Sequence, residues 1–124
     1  MSVERTRILL ISSEEGLAEL AQKALEDLGY KVLVATSGGM ALGMFSSPVP
    51  FDLIIIDGEI PEVSAADLAK AFQQIQPGIP LILFTDYPEV YAREETGGAG
   101  VRAVITKSAK LEELTKSVRR LLES

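Results

Sequence analysis

The sequence predicts an α/β fold, a doubly wound parallel sheet with helices on both faces. Two observations carry that expectation. Five short apolar runs recur along the 124 residues, Ile8–Ile11, Val32–Ala35, Leu53–Ile56, Leu81–Phe84 and Val101–Ile105, and the middle ones lack the alternation of a half-exposed strand. Between and after them lie segments in which apolar residues recur with helical period, so strand and helix alternate along the chain.

The first helical segment carries Leu17, Leu20, Ala21, Ala24, Leu25 and Leu28 on one stripe, with Ser13 as its expected N-cap and Gly29 as its stop. The second, about Gly39 to Phe45, is weakened by Gly38, Gly39 and Gly43. Leu68, Ala71, Phe72 and Ile75 mark the third, opened by the capping pattern Ser64-Ala65-Ala66-Asp67 and ended by the Pro77-Gly78 turn. A fourth runs from about Pro88 to Thr96 and ends at Gly97-Gly98 and Gly100, and a fifth shows Leu111, Leu114, Val118, Leu121 and Leu122. Five such units joined by right-handed crossovers give the flavodoxin-like (βα)5 arrangement with strand order 2-1-3-4-5. Its switch point lies beside the first and third strands, which brings Ser12-Ser13 next to Asp57.

Length and composition narrow the function. A chain of 124 residues, 47% hydrophobic and 24% charged, is expected to form one domain over residues 1–124 with no output domain attached. The apolar stretch near the amino terminus is too short for a signal peptide or a membrane span, so a cytoplasmic location is expected and no membrane partner. Net charge is −6, unevenly spread: residues 1–101 hold 15 acids against 6 bases, residues 102–124 hold 3 acids against 6 bases. An acidic body repels a phosphate backbone, so no direct nucleic-acid partner is expected.

Elimination narrows the chemistry further. A dinucleotide fold would place G-x-G-x-x-G after the first strand, where this chain has Ser12-Ser13-Glu14-Glu15-Gly16, and two glutamates at a helix start repel a flavin phosphate. The chain has no Cys and no His, which excludes thiolate nucleophiles and phosphohistidine carriers. An acid nucleophile remains. A carboxylate such as Asp57 at a strand's carboxyl end can accept a phosphoryl group as an acyl phosphate.

Phe51-Asp52-Leu53-Ile54-Ile55-Ile56-Asp57 followed by Ile60-Pro61, then Pro80-Leu81-Ile82-Leu83-Phe84-Thr85, then Ile105-Thr106-Lys107, together resemble the receiver domain of bacterial two-component response regulators over essentially the whole chain. The resemblance implies Asp57 as phosphoacceptor, Thr85 as the hydroxyl that binds the phosphoryl group and Lys107 as its cationic partner. It also implies magnesium, a histidine kinase or other signalling protein as partner, and no enzymatic role beyond self-phosphorylation from a phosphodonor at Asp57. The physical logic agrees, since an aspartyl phosphate concentrates charge that a lysine, a hydroxyl and a cation offset.

The sequence departs from the family where the metal should sit. Ser12-Ser13 replace the acidic pair of the first strand, leaving Asp57 and Glu59 as the expected metal ligands, with Glu14 and Glu15 as further acids that also suit a helix's first turn. With Asp57 facing Lys107 the pocket's formal charge is expected near zero, and magnesium binding weakened or absent. Asp86 follows Thr85 where the family has a small residue, and it also suits the N-cap of the fourth helix. Ser108 follows Lys107 in place of a proline, and Val104 replaces the switch aromatic, leaving Tyr87 or Tyr91 as alternatives.

Two functions stand at this point. One is a phosphorylatable receiver whose face made by the fourth helix, fifth strand and fifth helix engages partners or a second copy, near Arg102, Lys110, Lys116, Arg119 and Arg120. The other is a pseudo-receiver, a phosphorylation-independent interaction module that kept the fold and lost the metal site.

Overall fold

The computed structural model describes residues 6–89 and 100–123. Five parallel strands form one sheet in the order β2-β1-β3-β4-β5. They are β1 (Arg7–Ile11), β2 (Lys31–Ala35), β3 (Leu53–Asp57), β4 (Leu81–Thr85) and β5 (Val101–Thr106). Among the described residues four complete helices accompany them: α1 (Glu15–Glu26), α2 (Gly38–Phe45), α3 (Ala65–Ile75) and a C-terminal helix (Leu111–Glu123). The fourth predicted helix lies outside the described residues except for its first residues, and Tyr91 lies there too.

Alternation across the strands splits the core into two layers. Leu9, Ile11, Ile54, Ile56, Leu81 and Leu83 pack with Phe45, Phe51 and Phe72 on the side of α2 and α3. Ile8, Leu10, Leu53, Ile55, Ile82 and Phe84 pack with Ala18, Ala21 and Leu25 of α1 and Leu114 and Val118 of the C-terminal helix. Every residue of β3 and β4 is buried, which explains why their sequences are apolar runs without alternation. Tyr30 closes one edge of the second layer, donating its hydroxyl hydrogen bond to Glu123 Oε2 at 2.6 Å. Burial, then that carboxylate, push its phenol up to about 12.

Three apolar assignments are corrected. Leu20 is 59% exposed, because α1 buries Ala18, Ala21 and Leu25 and residue 20 falls well around the helix from that stripe. Leu28 is exposed because the helix has already ended at Asp27, and Ile75 is exposed because α3 buries Ala65, Leu68, Ala69 and Phe72. The start of α1 is also corrected: its N-cap is Glu14, and Ser12 rather than Ser13 accepts a backbone bond there, from the Glu14 N–H at 3.2 Å. Ser64 caps α3 by accepting from the Asp67 N–H, and Ser37 caps α2 by accepting from the Met40 N–H.

α2 is a full helix despite its glycines, and Gly38 has a packing reason. A Cβ there would stand 2.7 Å from Val63 Cγ1, so any other residue would have to displace the Val63 side chain from the start of the helix.

Candidate functional site at the carboxyl edge of the sheet

Strand register assembles the site. Ile11 pairs with Ile56, so the next residues, Ser12 and Asp57, leave the sheet side by side. Asp57 pairs with Phe84, and Thr85 with Thr106, which puts Lys107 one step beyond Thr85. Backbone bonds carry the ladders past the strand ends: Ser12 N–H to the Ala35 carbonyl at 3.0 Å, and Lys107 N–H to the Thr85 carbonyl at 2.9 Å. The polar groups are therefore held by the sheet rather than by loops alone.

Asp57 is 1% exposed and both of its oxygens are occupied. Oδ1 lies 2.6 Å from Lys107 Nζ and accepts the Glu59 backbone N–H at 2.8 Å, while Oδ2 accepts the Ser12 hydroxyl at 2.9 Å. Lys107, its side chain 6% exposed, also lies 3.1 Å from Glu14 Oε2 and 3.2 Å from Glu59 Oε1. Burial alone would lower its pKa. The bonds to Asp57, Glu14 and Glu59 outweigh burial and hold it above its ordinary value, so the ammonium is charged throughout the physiological range.

Glu59 is engaged as heavily as Asp57. Its Oε2 accepts the Thr85 hydroxyl at 2.6 Å, and its Oε1 accepts the Asp86 backbone N–H at 2.8 Å and faces Lys107. Burial raises its carboxyl, but the bonds from Thr85, Asp86 and Lys107 together hold it below the usual carboxylate range. Thr85, fully buried, in turn accepts the Tyr87 N–H at 3.0 Å, which fixes its hydroxyl toward Glu59. The Asp86 and Tyr87 side chains are exposed, the latter by 56%.

The register thus brings Ser12, Asp57, Thr85 and Lys107 together with Glu14 and Glu59. Ser13 is exposed, and Glu15 instead lines a cavity of about 290 Å³ beside α1 with Ser12, Glu19 and Thr36. One expectation changes. The charge around Lys107 is not near zero, because three carboxylates rather than one surround a single ammonium. Two contacts carried no sequence signal: the Ser12 hydroxyl as donor to Asp57, and the Asp86 backbone N–H as donor to Glu59. Val104 packs against the α2 and α3 layer of the core.

The donor set does not fit magnesium as it stands. Magnesium asks for near-octahedral oxygen coordination with one or two carboxylates free to bind it. Here both Asp57 oxygens are hydrogen-bonded, Glu14 and Glu59 are turned onto Lys107, and among the described residues no group of three acids is placed to hold a metal ion.

Residues 8–119 match the profile of the response regulator receiver domain. The chain belongs to that family. The receiver is 33% identical over 91 residues to the response regulator SaeR of Staphylococcus epidermidis, covering 70% of this chain and 39% of that one. It is 28% identical over 123 residues to the transcriptional regulatory protein GlrR of Escherichia coli, covering 99% of this chain and 28% of that one. The chain therefore spans less than half the length of these curated relatives. Among solved structures, a receiver domain from Methanospirillum hungatei superposes with a TM-score of 0.88 at 23% identity, over 97% of this chain and 95% of that one. The response regulator TrrA of Thermotoga maritima, solved with magnesium and beryllium fluoride, superposes with a TM-score of 0.84 at 30% identity, over 94% and 99%. As a receiver, this chain is a domain of two-component signal transduction. Among the described residues no helix is long and apolar enough to cross a membrane.

Proposed function

We propose that the chain acts as a single receiver module in a phosphorelay, with Asp57 as the phosphoacceptor and Thr85 and Lys107 as the groups that bind the transferred phosphoryl. The observation that carries this reading is the buried pair between Asp57 and Lys107 at 2.6 Å, with the Thr85 hydroxyl on the adjoining strand end. In the transfer a carboxylate oxygen of Asp57 forms a bond to phosphorus, and the donor's bond to phosphorus breaks: P–N in a phosphohistidine, P–O in acetyl phosphate, with acetate leaving. Lys107 offsets the charge of the resulting acyl phosphate, and the Thr85 hydroxyl donates to one of its oxygens. A histidine kinase is the fitting protein donor. The described part of the partner surface is β5 and the C-terminal helix, where Arg102, Lys110, Lys116, Arg119 and Arg120 are all exposed and could also seat a second copy.

A second reading, the pseudo-receiver, is favoured by one specific observation: Ser12 meets Asp57 with a hydroxyl where the family has an acid, and the remaining carboxylates face Lys107. In that reading magnesium affinity is weak and partner binding is indifferent to phosphorylation. Intact mass after treatment with acetyl phosphate and millimolar magnesium separates the two. The first reading expects one added phosphoryl group, absent in Asp57→Asn. No addition, with partner binding unchanged by Asp57→Asn, establishes the second.

A further inference from the structure

Glu59 has as many polar side-chain contacts in this cleft as Asp57 or Lys107. Two hydrogen-bond donors and a cation converge on its one carboxylate: the Thr85 hydroxyl at 2.6 Å, the Asp86 backbone N–H at 2.8 Å, and, as an ion pair, the Lys107 ammonium at 3.2 Å. They come from β4, from the turn that follows it, and from the end of β5, and they are disposed around a single anionic group. A hydroxyl, a backbone N–H and a lysine held in this way form an oxyanion seat. In this protein the seat is filled by the chain itself.

We propose that Glu59 is the resident occupant of this seat and sets its selectivity: an external oxyanion of the phosphate class gains the Thr85, Asp86 and Lys107 donors only when the Glu59 carboxylate has left them. The inference rests on the reading of Thr85 and Lys107 as phosphoryl-binding groups, and it adds a competitor for them that is covalently part of the chain. Several observations support intramolecular competition over incidental contact. Both Glu59 oxygens are engaged, one by Thr85 and the other by Asp86 and Lys107. The carboxylate is tethered two residues from Asp57, whose Oδ1 accepts the Glu59 backbone N–H at 2.8 Å, so its backbone is fixed and only the side chain has to swing to empty the seat. Its side chain is 27% exposed, which leaves a path toward solvent. Tethering gives such an anion a high effective concentration, on the millimolar scale even for flexible links, so a free anion starts at a disadvantage.

Emptying the seat has a direct readout that needs no phosphoryl transfer. Inorganic phosphate is titrated into the wild-type protein, Glu59→Ala and Glu59→Gln without magnesium, and the backbone amide signals of Asp86, Tyr87 and Lys107 are followed by NMR. Glu59→Ala clears the seat, and Glu59→Gln keeps the side chain's length while removing its charge, so a folding defect in one leaves the other to decide. Saturable shifts at these amides, at a phosphate concentration at least tenfold lower in either variant than in the wild type, support the proposal. Equal titrations in all three proteins, including no saturable shift in any of them, overturn it. Acetyl phosphate labelling of Asp57 in the same variants reports separately on the phosphoacceptor reading: phosphate entering the emptied seat without labelling leaves the resident-anion role standing and removes the phosphoacceptor role.

Discussion

Asp57 meets a neutral hydroxyl on its β1 flank and a buried ammonium on its β5 flank, and the two contacts do unlike work. On the β1 side, Ser12 satisfies Oδ2 with one hydrogen bond, and Ser13 beyond it is exposed. On the other side, Lys107 sits among Asp57, Glu14 and Glu59, and Glu59 gathers Thr85 and the Asp86 N–H as well. The charges around this buried carboxylate thus come from Lys107 after β5, from Glu59 in the loop after β3 and, at greater reach, from Glu14 in the loop after β1, while Ser12, the β1-end residue that touches Asp57 itself, contributes only a dipole. With serines rather than acids at the end of β1, Asp57 and Lys107 still hold each other in place, because their charges compensate.

The largest test of that asymmetry is removal of the ammonium. Lys107→Met leaves Asp57 buried with only hydrogen bonds against its charge and strands Glu14 and Glu59 nearby. Breaking such a pair from one side costs about 3 kcal/mol. Urea unfolding at neutral pH should show that loss, with a much smaller one for Asp57→Asn, since Lys107 then keeps two carboxylates within 3.2 Å. Equal losses would mean that Asp57, not the network around Lys107, holds this flank together.

The β1 flank is tested by giving it charge. Replacing Ser12 and Ser13 together by aspartate puts a carboxylate where a hydroxyl now sits 2.9 Å from Asp57. Without a cation the like charges should lower stability. With magnesium at ten times its Kd, binding to the folded state alone restores about 1.4 kcal/mol. Thermal unfolding with and without magnesium reads this directly, and the wild type should gain far less. A wild-type gain as large as the double variant's would show that Asp57, Glu59 and Glu14 turn away from Lys107 to bind the metal.

Much of this was legible in the sequence, for identifiable reasons. β3 and β4 announced themselves because they are buried on both faces, and Asp57 and Thr85 stood out because a polar residue directly after such an apolar run has to sit at the sheet's edge, whereas Lys107 follows the only partly buried β5 by way of Thr106. Leu20, Leu28 and Ile75 were misplaced because a helical stripe written in leucines and isoleucines says nothing of which face the sheet covers, and α1 turned its alanines inward instead. Glu59 could be flagged from its spacing to Asp57, but not its partners. Its three contacts depend on a side-chain conformation and on the backbone N–H of Asp86, and no periodicity encodes either.

The smallest effect concerns pH, and it separates the flanks because only one of them titrates. The pKa of Glu59 lies below its ordinary value of 4.5, so the stability it contributes is present above that value and is lost as pH falls through its folded pKa. Lys107 is raised above its ordinary 10.5, so its contribution is complete below 10.5 and fades only as pH climbs beyond it. Ser12 contributes no proton at either end. From about pH 5 to pH 10 these two groups should therefore add no slope to the stability curve, and Glu59→Gln should shallow only the acid limb. The difference between wild type and variant should be less than about 1 kcal/mol between pH 7 and pH 3, because water reaches the Glu59 side chain. Denaturant midpoints across that range measure it. An unchanged acid limb in Glu59→Gln would place the acid sensitivity on other carboxylates and leave Lys107 paired chiefly to Asp57 and Glu14, which would narrow the contrast between the flanks to a single ion pair facing a single hydroxyl.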